Sequence, residues 1–408
     1  MKQIFKKISG FTLVEIMVVI AIIGILTTLV MVSLDNTKKT ARNARRLADI
    51  KQLQLGLKMY YNDNGFYPTY VSPTASLARN GVNYLLRIPQ NPRPYNDNNC
   101  PDQGYQYTQL ENGQRYSLTF CLGDKTDDLS GGPKTATSNG ILDCPTGYIA
   151  VPGSATFETN DFCVMKYEAK CAEAAAPTVP YTSPLTSENS LEGRGSFCSG
   201  SKIPVSTPTG NPIGNVTIDE ARDACISVGG HLMTNAEWMT LARHIEKNSV
   251  NWDGGIIGNS WLPRGHYDDN TVLADDSDPG SDQAIRTYTL FNQEVIWDLA
   301  GNMGEWIDTT CNPGDNIGEF FSESRYIEWD ETSVDLTYER DMAGPSDPSW
   351  NDNKNGLGQY RGCTKTNNVM WRGGYTFKNN EEFAGLYHIN MTLKGSTPDT
   401  RIGFRCVK

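Results

Sequence analysis

A long apolar stretch near the start of the chain constrains its architecture more than any other feature. Residues 11–34 are almost wholly apolar, and a short segment with three lysines precedes them. About 20 apolar residues suffice for a helix to cross a bilayer, so this stretch has the length of a transmembrane anchor. A secretory signal peptide would place small residues after its apolar region, whereas Ser9 and Gly10 precede this one. The pattern therefore predicts an anchor with a separate leader at residues 1–10.

A single acidic side chain, Glu15, interrupts the apolar stretch. An ionisable group inside a membrane segment is costly and therefore indicates a functional site. The sequence around it, Gly10-Phe11-Thr12-Leu13-Val14-Glu15, resembles the processing site of type IV pilins and type II secretion pseudopilins. A signal anchor with an incidental acid is the alternative.

The resemblance implies a series of processing and assembly steps. A prepilin peptidase would cleave after Gly10, and the new N-terminal residue, Phe11, would be methylated. Glu15 would then pair with the N-terminal amine of a neighbouring pilin subunit, because a buried carboxylate and a buried ammonium offset part of each other's desolvation cost. The subunit would cross the inner membrane once before assembly and afterwards lie in an extracellular filament or on the cell surface.

The pilin-like region is predicted to contain a long helix over residues 11–65 and a small head over residues 66–129. Apolar residues recur at helical spacing beyond residue 34, and the sequence Asn62-Asp63-Asn64-Gly65 predicts the helix end. Strand-like alternation in the head predicts a small antiparallel sheet. Cys100 and Cys121 bracket this sheet, and we expect a disulfide between them outside the cytoplasm.

A run rich in Gly, Ser and Thr over residues 130–143 is predicted to be a linker to a large domain over residues 144–408. This domain shows short strand-like segments, many turn residues and two helical stretches. These stretches are residues 218–228 and 236–247, with Thr217 and Asn235 as the expected N-caps. Only at the first does a glutamate, Glu220, lie three residues later and complete a capping box. Eight of the ten cysteines fall in the domain without any C-x-x-C pair, so disulfides explain them better than zinc.

Four stretches of the large domain resemble the formylglycine-generating-enzyme-like (sulfatase-modifying-factor) family, whose members have a C-type lectin fold. They occur in family order, and the last has two parts. They are residues 162–168, residues 230–238, Trp297-Asp298-Leu299-Ala300-Gly301-Asn302-Met303-Gly304-Glu305-Trp306, and Trp371-Arg372-Gly373-Gly374 with Gly403-Phe404-Arg405-Cys406. The chain is therefore expected to be α+β, with a long pilin helix, a small antiparallel sheet and an irregular C-type-lectin-like domain.

The third stretch implies a calcium site. In the family, the acids at the positions of Asp298 and Glu305 and the carbonyls at those of Gly301 and Met303 hold a calcium ion. Carboxylate and carbonyl oxygens at such close spacing suit a hard cation. The alternative is a turn in which the two acids cap backbone amides.

The enzymes of this family use a cysteine pair that lies between the Arg-Gly-Gly strand and the final Gly-Phe-Arg-Cys. The corresponding interval here, residues 375–402, contains no cysteine, and the four histidines do not show metal-ligand spacing. Membership would then imply the fold without the activity. We predict that the chain is not an enzyme.

The interval without cysteines instead mixes aromatic, Asn and Thr residues with apolar ones. It resembles the variable repeat of diversity-generating retroelement target proteins, which display such residues on a C-type lectin scaffold. Tyr and Asn supply large contacts and adaptable hydrogen bonds, as in a paratope. We predict one outward ligand-binding face, and an ordinary solvent-facing strand and loop is the alternative. The face comprises Tyr375, Phe377, Asn379, Asn380, Phe383, Tyr387, His388, Asn390, Thr392 and Arg401.

The charge distribution limits the partners of the chain. Residues 1–60 carry a net charge of +7 in a chain of net charge -11, which leaves the remainder near -18. An acidic folded part argues against nucleic-acid binding. Two functions remain: a pilin-like filament subunit that displays a ligand-binding adhesin domain for an extracellular protein or glycan, and a structural minor pseudopilin of a type II secretion-like machine. The first includes the possibility that a retroelement makes the face hypervariable.

Overall fold

The computed structural model describes most of the chain and divides it into two compact units whose segments alternate in sequence. The described residues are 13–98, 100–178, 198, 201–264, 287–311, 325–331, 342–363, 365–375 and 384–408. The first unit comprises Met1–Gly56, Ser72–Tyr105 and Phe120–Pro133, and the second comprises Leu57–Val71, Gln106–Thr119 and Lys134–Lys408. The two compact units therefore do not follow the predicted boundaries of a head over 66–129 and a domain over 144–408. Residues 106–119 of the predicted head belong to the same unit as the C-terminal part.

The described residues form an α+β fold, as predicted. The helices are α1 (Leu13–Asn64), α2 (Ile218–Ser227), α3 (Asn235–Glu246) and α4 (Asp352–Asn355). The strands before α2 are β1 (Leu77–Arg79), β2 (Val82–Leu85), β3 (Gln106–Leu110), β4 (Arg115–Leu122), β5 (Gly132–Ala136), β6 (Ile141–Leu142), β7 (Tyr148–Val151), β8 (Phe162–Met165), β9 (Lys170–Glu173) and β10 (Lys202–Val205). The strands after it are β11 (His231–Leu232), β12 (Thr287–Thr289), β13 (Val295–Trp297), β14 (Gly304–Cys311), β15 (Tyr360–Arg361), β16 (Asn368–Gly374), β17 (Ala384–Lys394), β18 (Ile402–Gly403) and β19 (Cys406–Val407).

The long helix α1 matches the predicted helix closely, and it ends where Gly65 adopts a left-handed φ of 76°. Its N-terminal half exposes apolar side chains, among them Leu13 at 76% and Ile20 at 60%. Such a surface is too apolar to face water alone, which indicates a covering partner or environment. We predicted a membrane-crossing segment here, but among the described residues no helix combines the length and apolarity needed to cross a membrane.

A buried ion pair fixes α1 to the rest of the first unit. The Asp97 carboxylate accepts a hydrogen bond of 2.8 Å from Arg42 Nε and lies 2.8 Å from Arg46 Nη1. Arg46 is fully buried, although its charge would place it on the solvent side of an amphipathic helix. The hydrogen bond from Arg42 lowers the pKa of Asp97 below its ordinary value of 3.8, because it favours the carboxylate.

The predicted disulfide between Cys100 and Cys121 is confirmed, with a Cα–Cα distance of 5.6 Å. It connects the segment before β3 to the end of β4 and lies in the first unit.

The run predicted to be a linker is largely structured. Strands β5 and β6 lie within residues 130–143 and pair antiparallel, in a four-stranded sheet of order β3-β4-β5-β6. The Thr137 carbonyl accepts a hydrogen bond from the Tyr116 hydroxyl, and the Asn292 amide donates to the Thr135 hydroxyl. The prediction of a linker at these residues is wrong because cross-strand pairs and side-chain hydrogen bonds give this polar run partners that its composition does not reveal.

The turn between β3 and β4 is attached to the C-terminal domain through Glu111, within the second unit. The Glu111 carboxylate accepts hydrogen bonds from the backbone amide of Ala155 at 2.9 Å and from the hydroxyl of Ser154. Glu111 and Asn112 both adopt left-handed backbone angles, at φ of 47° and 52°. Such a conformation is uncommon for glutamate, so the carboxylate contacts contribute to holding it.

Both predicted helices of the large domain are present, and each begins with a capping box. The Thr217 box with Glu220 at α2 was predicted. For α3 the N-cap is Thr234 rather than Asn235, because Glu237 lies three residues after Thr234 and completes the reciprocal pair of hydrogen bonds. The amide of Asn235 instead donates to the Met342 carbonyl.

A five-stranded sheet of order β15-β17-β16-β14-β18 forms the centre of the domain. Apolar side chains from both of its faces enter buried clusters: Ile307 and Met370 belong to the cluster around α3, whereas Trp306 and Trp371 belong to the cluster around α2. This alternation follows the period of two along a strand. The sheet is therefore covered on both faces.

Four disulfides connect the C-terminal domain. They join Cys144 to Cys163, Cys171 to Cys198, Cys225 to Cys406, and Cys311 to Cys363. With the bond between Cys100 and Cys121, they pair all ten cysteines of the chain. The prediction that the cysteines form disulfides is confirmed.

Candidate functional site

The predicted calcium residues lie in a tight turn between β13 and β14. Three of its residues have left-handed backbone angles: Asp298 at φ 52°, Gly301 at φ 84° and Asn302 at φ 60°. The Gly301 amide donates to the Gly373 carbonyl at 2.9 Å. Gly373 is itself left-handed, and a Cβ there would lie 2.7 Å from the Leu299 carbonyl oxygen, so the turn and β16 fit together only with glycine at this point.

A further acid, Glu168, supports this turn and was not singled out from the sequence. Its carboxylate accepts a hydrogen bond from the Met303 amide at 3.1 Å and another from the side chain of Asn302. Glu168 closes the stretch at residues 162–168 that suggested the family, and it is buried. Its position at the end of that stretch was the available signal in the sequence.

Glu305 has one carboxylate oxygen engaged and one without a partner. Its Oε1 accepts a hydrogen bond of 2.6 Å from Arg405 Nε, and both side chains are buried. Its Oε2 is buried and has no hydrogen-bond partner among the described residues. Burial is the main cause that raises the pKa of Glu305 to about 7; the charge of Asp298 acts in the same direction, and Arg405 opposes both effects.

These features fit a bound cation. An unpartnered buried carboxylate oxygen beside a second buried acid, Asp298, is the donor chemistry that calcium prefers. No group of three or more His, Cys, Asp or Glu side chains in the described residues could hold a metal. A calcium ion here would therefore need backbone carbonyls such as those of Gly301 and Met303 in addition to Asp298 and Glu305. Calcium binding stays a prediction.

Two members of the predicted ligand-binding face, Tyr375 and Arg401, are half-buried and contact each other. The Arg401 guanidinium lies 4.6 Å from the centroid of the Tyr375 ring, and its Nη1 donates to the Tyr375 hydroxyl at 2.8 Å. Asp399 accepts two further hydrogen bonds from Arg401, of 2.9 Å from Nε and 2.7 Å from Nη2. Asp399 raises the pKa of Arg401 above its ordinary value. The arrangement presents an aromatic ring with a fixed and neutralised guanidinium.

Three other members of the predicted face do not point outward. Tyr387 and His388 are 0% exposed and Asn390 is 4% exposed. The prediction of their exposure is wrong because β17 lies between β15 and β16 in a sheet that is covered on both faces, so neither side of the strand meets solvent. The Tyr387 hydroxyl donates to Glu246 Oε2 at 2.6 Å, which is a contact of the core.

The remaining members of the predicted face are only partly placed. Thr392 is half-buried near the end of β17, where its hydroxyl donates to Asn390 Oδ1 at 2.7 Å. The other four lie outside the described residues, and these are Phe377, Asn379, Asn380 and Phe383. The predicted binding role of the set stays a prediction.

Two residues outside the predicted face, Tyr326 and Trp371, join this region. The Asn390 amide donates to the Tyr326 hydroxyl at 2.8 Å, and the Tyr326 ring lies 5.5 Å from the His388 ring. Trp371 stacks on Tyr375 with ring centroids 5.6 Å apart. Sequence patterns cannot connect Tyr326 with Asn390, which lies 64 positions later; the pairing of Ile327 with Tyr360 brings Tyr326 to the sheet.

The processing residues are placed only in part. Gly10 and Phe11 lie outside the described residues, and Glu15 lies in the first turn of α1 with an exposed side chain.

Comparison with known protein families identifies both parts of the chain. Residues 5–31 match the family described as "Prokaryotic N-terminal methylation motif", and residues 131–408 match "Sulfatase-modifying factor enzyme 1-like domain". The predicted resemblances to pilins or pseudopilins and to sulfatase-modifying factors are confirmed.

Several curated proteins resemble the N-terminal part. The type II secretion system core protein G of Aeromonas hydrophila is 38% identical over 104 residues, which is 22% of this chain and 72% of that protein. The protein of the same name in Klebsiella pneumoniae is 39% identical over 141 residues, which is 30% of this chain and 94% of that protein. The Escherichia coli K12 protein is 39% identical over 97 residues, covering 67% of its length.

Proposed function

Because the chain belongs to the type II secretion system core protein G family through its N-terminal part and to the sulfatase-modifying factor enzyme 1-like family over residues 131–408, we propose that it is a filament subunit that displays a ligand-binding domain outside the cell. The ligand is an extracellular protein or glycan. The domain acts as an adhesin rather than as a catalyst.

The observation that carries this proposal is the pairing of all ten cysteines downstream of a prepilin-type motif. Disulfides persist in oxidising compartments and are rare in the cytoplasm. A chain with this motif and these disulfides is suited to work beyond the inner membrane.

The contact between Glu111 and the amides of Ala155 and Thr156 supports display on the pilin-like part. The hairpin of β3 and β4 belongs to the pilin-like region, and its tip is hydrogen-bonded to the C-terminal domain. The C-terminal domain is therefore held to this hairpin by hydrogen bonds as well as by the connecting chain. A subunit added to a filament through its N-terminal helix would carry the domain with it.

The partly exposed pair of Tyr375 and Arg401 supports ligand binding. Aromatic and arginine side chains are enriched among the residues that dominate binding energy in interfaces. Here the ring and the guanidinium are already ordered against each other and against Asp399, so little conformational entropy would be lost on binding.

A non-catalytic role follows from the sulfur chemistry. The family's enzymes need a thiol pair, and residues 375–402 contain no cysteine. Every cysteine elsewhere is held in a disulfide, so none offers a thiolate nucleophile in this state.

Processing and assembly follow the pilin pattern in this proposal. The prepilin peptidase cuts after Gly10, Phe11 is methylated, and Glu15 pairs with the amine of a neighbouring subunit. The inner membrane holds the subunit before assembly. The exposed apolar side chains of α1, such as Leu13, Ile20 and Leu34, would then be covered by neighbouring subunits in the filament.

Calcium has a structural role in the proposal. With Asp298, Glu305 and the carbonyls of Gly301 and Met303 as ligands, the ion would satisfy the unpartnered Glu305 oxygen and stabilise the turn beside β16. The chemistry it supplies is charge neutralisation of two buried acids.

The alternative is a structural minor pseudopilin of a type II secretion-like machine. The names of the curated relatives favour it, since each is a type II secretion system core protein G. The two functions predict different defects in a strain without this protein: loss of attachment for the adhesin and loss of secretion for the pseudopilin.

An in-frame deletion separates them. We expect the deletion strain to lose attachment of cells to their natural surface while the amount of secreted protein stays unchanged, and a plasmid copy to restore attachment. Loss of secretion with unchanged attachment would favour the alternative. Replacing Tyr375 by Ala in the plasmid copy, with the exposed Tyr70→Ala as the matched control, assigns the effect to the proposed face.

Diversification by a retroelement is a separate part of the proposal. It is supported by the mixture of Tyr, Asn and Thr with apolar residues in 375–394. A reverse transcriptase gene and a near-copy of this coding segment beside the gene, with differences at adenines, are expected. A secretion operon without either would contradict it.

A further inference from the structure

A lysine and an aspartate face each other across the β5–β6 hairpin. Thr135 pairs with Leu142 in this hairpin, so Lys134 and Asp143 are the next opposed positions along the two strands. The side-chain nitrogen of Lys134, Nζ, lies 3.1 Å from Asp143 Oδ1. The Lys134 side chain is only 3% exposed, whereas Asp143 is half-buried. Nearly complete burial is rare for a lysine and sets this pair apart from a surface ion pair.

The chain neighbours of Lys134 and Asp143 fix the positions of both residues. Cys144, next to Asp143, is joined to β8 by a disulfide. The hydroxyl of Thr135, next to Lys134, accepts a hydrogen bond of 3.0 Å from the Asn292 amide. Holding an amine and a carboxyl group in contact replaces the encounter that a reaction between separate molecules would need.

A third titratable group, Glu294, lies beside the pair. It follows Asn292 by two positions in the turn between β12 and β13, and the hydrogen bond from Asn292 to Thr135 brings this turn against β5. Glu294 is half-buried, and its charge interacts with that of Lys134. Burial raises the pKa of Glu294 above its ordinary value of 4.5, although the charges of Lys166 and Lys134 oppose this effect. Glu294 is therefore suited to carrying a proton at this site.

We propose that Lys134 and Asp143 become joined by an isopeptide bond, with Glu294 moving the proton. A proton first passes from the Lys134 ammonium to the Asp143 carboxylate, because a neutral pair avoids the desolvation cost of buried charge. Lys134 Nζ then attacks Cγ of Asp143, and a C–N bond forms while one C–O bond breaks. The Glu294 carboxyl group protonates the leaving oxygen, and its carboxylate takes the proton that Nζ loses. The products are one amide and one water molecule.

The bond would close a ring over residues 134–143 within the second unit. Together with the disulfide from Cys144 to β8, it would give a covalent path from β5 to β8 that bypasses the β5–β6 turn. A force that pulls on the chain would then pass through the amide instead of separating β5 from β6. The bond forms whatever ligand the domain binds, so it is independent of the proposed adhesin role.

Mass spectrometry of the full chain, purified in detergent and then denatured and reduced, tests the bond. We expect the parent to be lighter than its mature sequence by the mass of one water molecule. Trypsin should cleave after Lys125 and Lys166 but not after Lys134, whose amine has become an amide. Residues 126–166 should therefore remain in one peptide that lacks one water.

Three variants assign the reaction to these residues. Lys134→Arg keeps the positive charge but has no amine to acylate, so it should regain the full mass and be cleaved after position 134. The exposed Lys125→Arg is the matched control and should keep the mass deficit of the parent. Glu294→Gln cannot move the proton and should slow bond formation about a hundredfold or more, which leaves the freshly purified chain largely without the bond. Circular dichroism verifies that each variant is folded.

A parent of full mass that trypsin cleaves after Lys134 would overturn the proposal and leave an ordinary ion pair. A missing water with normal cleavage after Lys134 would overturn it as well, because an aspartyl succinimide loses the same mass without blocking trypsin. A mass deficit that persists undiminished in Glu294→Gln would contradict the role of Glu294.

Discussion

The Glu111 carboxylate lies 2.9 Å from the backbone nitrogen of Ala155, which connects the tip of the β3–β4 hairpin to the C-terminal domain. Burial opposes ionisation of Glu111, but the hydrogen bonds from Ser154, Ala155 and Thr156 outweigh it and lower its pKa below the ordinary 4.5. The contact therefore depends on the charged form.

Replacing Glu111 by Gln should weaken this attachment. A neutral amide keeps the shape of the side chain but loses charge-assisted hydrogen bonds, and we expect a loss of about 1–3 kcal/mol in unfolding free energy. Denaturant titration of the detergent-solubilised chain measures it, with the nearby exposed Glu158→Gln as the matched control. Equal stability of both variants would show that the contact contributes nothing.

Acid should destabilise the first unit through Asp97. Because the fold lowers the pKa of Asp97 below 3.8, the folded state holds this proton less tightly than the unfolded state. The stability that the Asp97 carboxylate contributes is therefore fully present at pH values above its pKa in the unfolded chain. This stability is lost as the pH falls through the lower pKa of Asp97 in the folded state. We expect Asp97→Asn to lower the unfolding midpoint at pH 6, and this difference from the parent to shrink as the pH is lowered towards 2. A difference that stays constant over that range would refute the assignment.

Chelation should destabilise the C-terminal domain if the turn at Asp298 binds calcium. A ligand that binds only the folded state stabilises it by mass action, so excess chelator should lower the melting temperature by several degrees. Asp298→Asn should abolish this response, whereas the exposed Asp253→Asn should keep it. A melting curve unchanged by chelator, together with no metal in elemental analysis, would show that the turn at Asp298 does not bind calcium.

Removing the disulfide between Cys225 and Cys406 should destabilise the protein more than removing that between Cys100 and Cys121. The two bonds span 181 and 21 residues. On the chain-entropy account, their losses are about 5 and about 3 kcal/mol. Paired Cys→Ala variants compared by denaturant titration test this order, and the reverse order would show that local packing dominates.

Local features of this fold could be predicted from the sequence because they depend on neighbouring residues. The helix α1, the capping box at Thr217 and the disulfide at Cys100 are of this kind. The α3 cap was misplaced by one residue because Thr234 and Asn235 are both good caps, and only Glu237 decides between them. The burial of Arg46 could not be predicted in this way, because its partner, Asp97, lies 51 positions later.

The candidate face was only partly predictable for a similar reason. Whether Tyr387 and His388 face solvent depends on the position of β17 within its sheet, and strand order is not contained in a strand's own sequence. Arg401 and Tyr375 were both proposed, but their mutual contact requires the turn that brings Asp399 and Arg401 beside the end of β16.

The most direct test of the central claim is the mass of the chain in filaments sheared from cells. The account predicts a mature chain that begins at a methylated Phe11, retains residues 144–408 and carries five disulfides. Glu15→Ala should leave the chain in the membrane fraction and largely absent from filaments, because the carboxylate pairs with the amine of the next subunit. A chain that still begins at Met1, or that never enters filaments, would contradict the claim that this protein is an assembled and displayed pilin-like subunit.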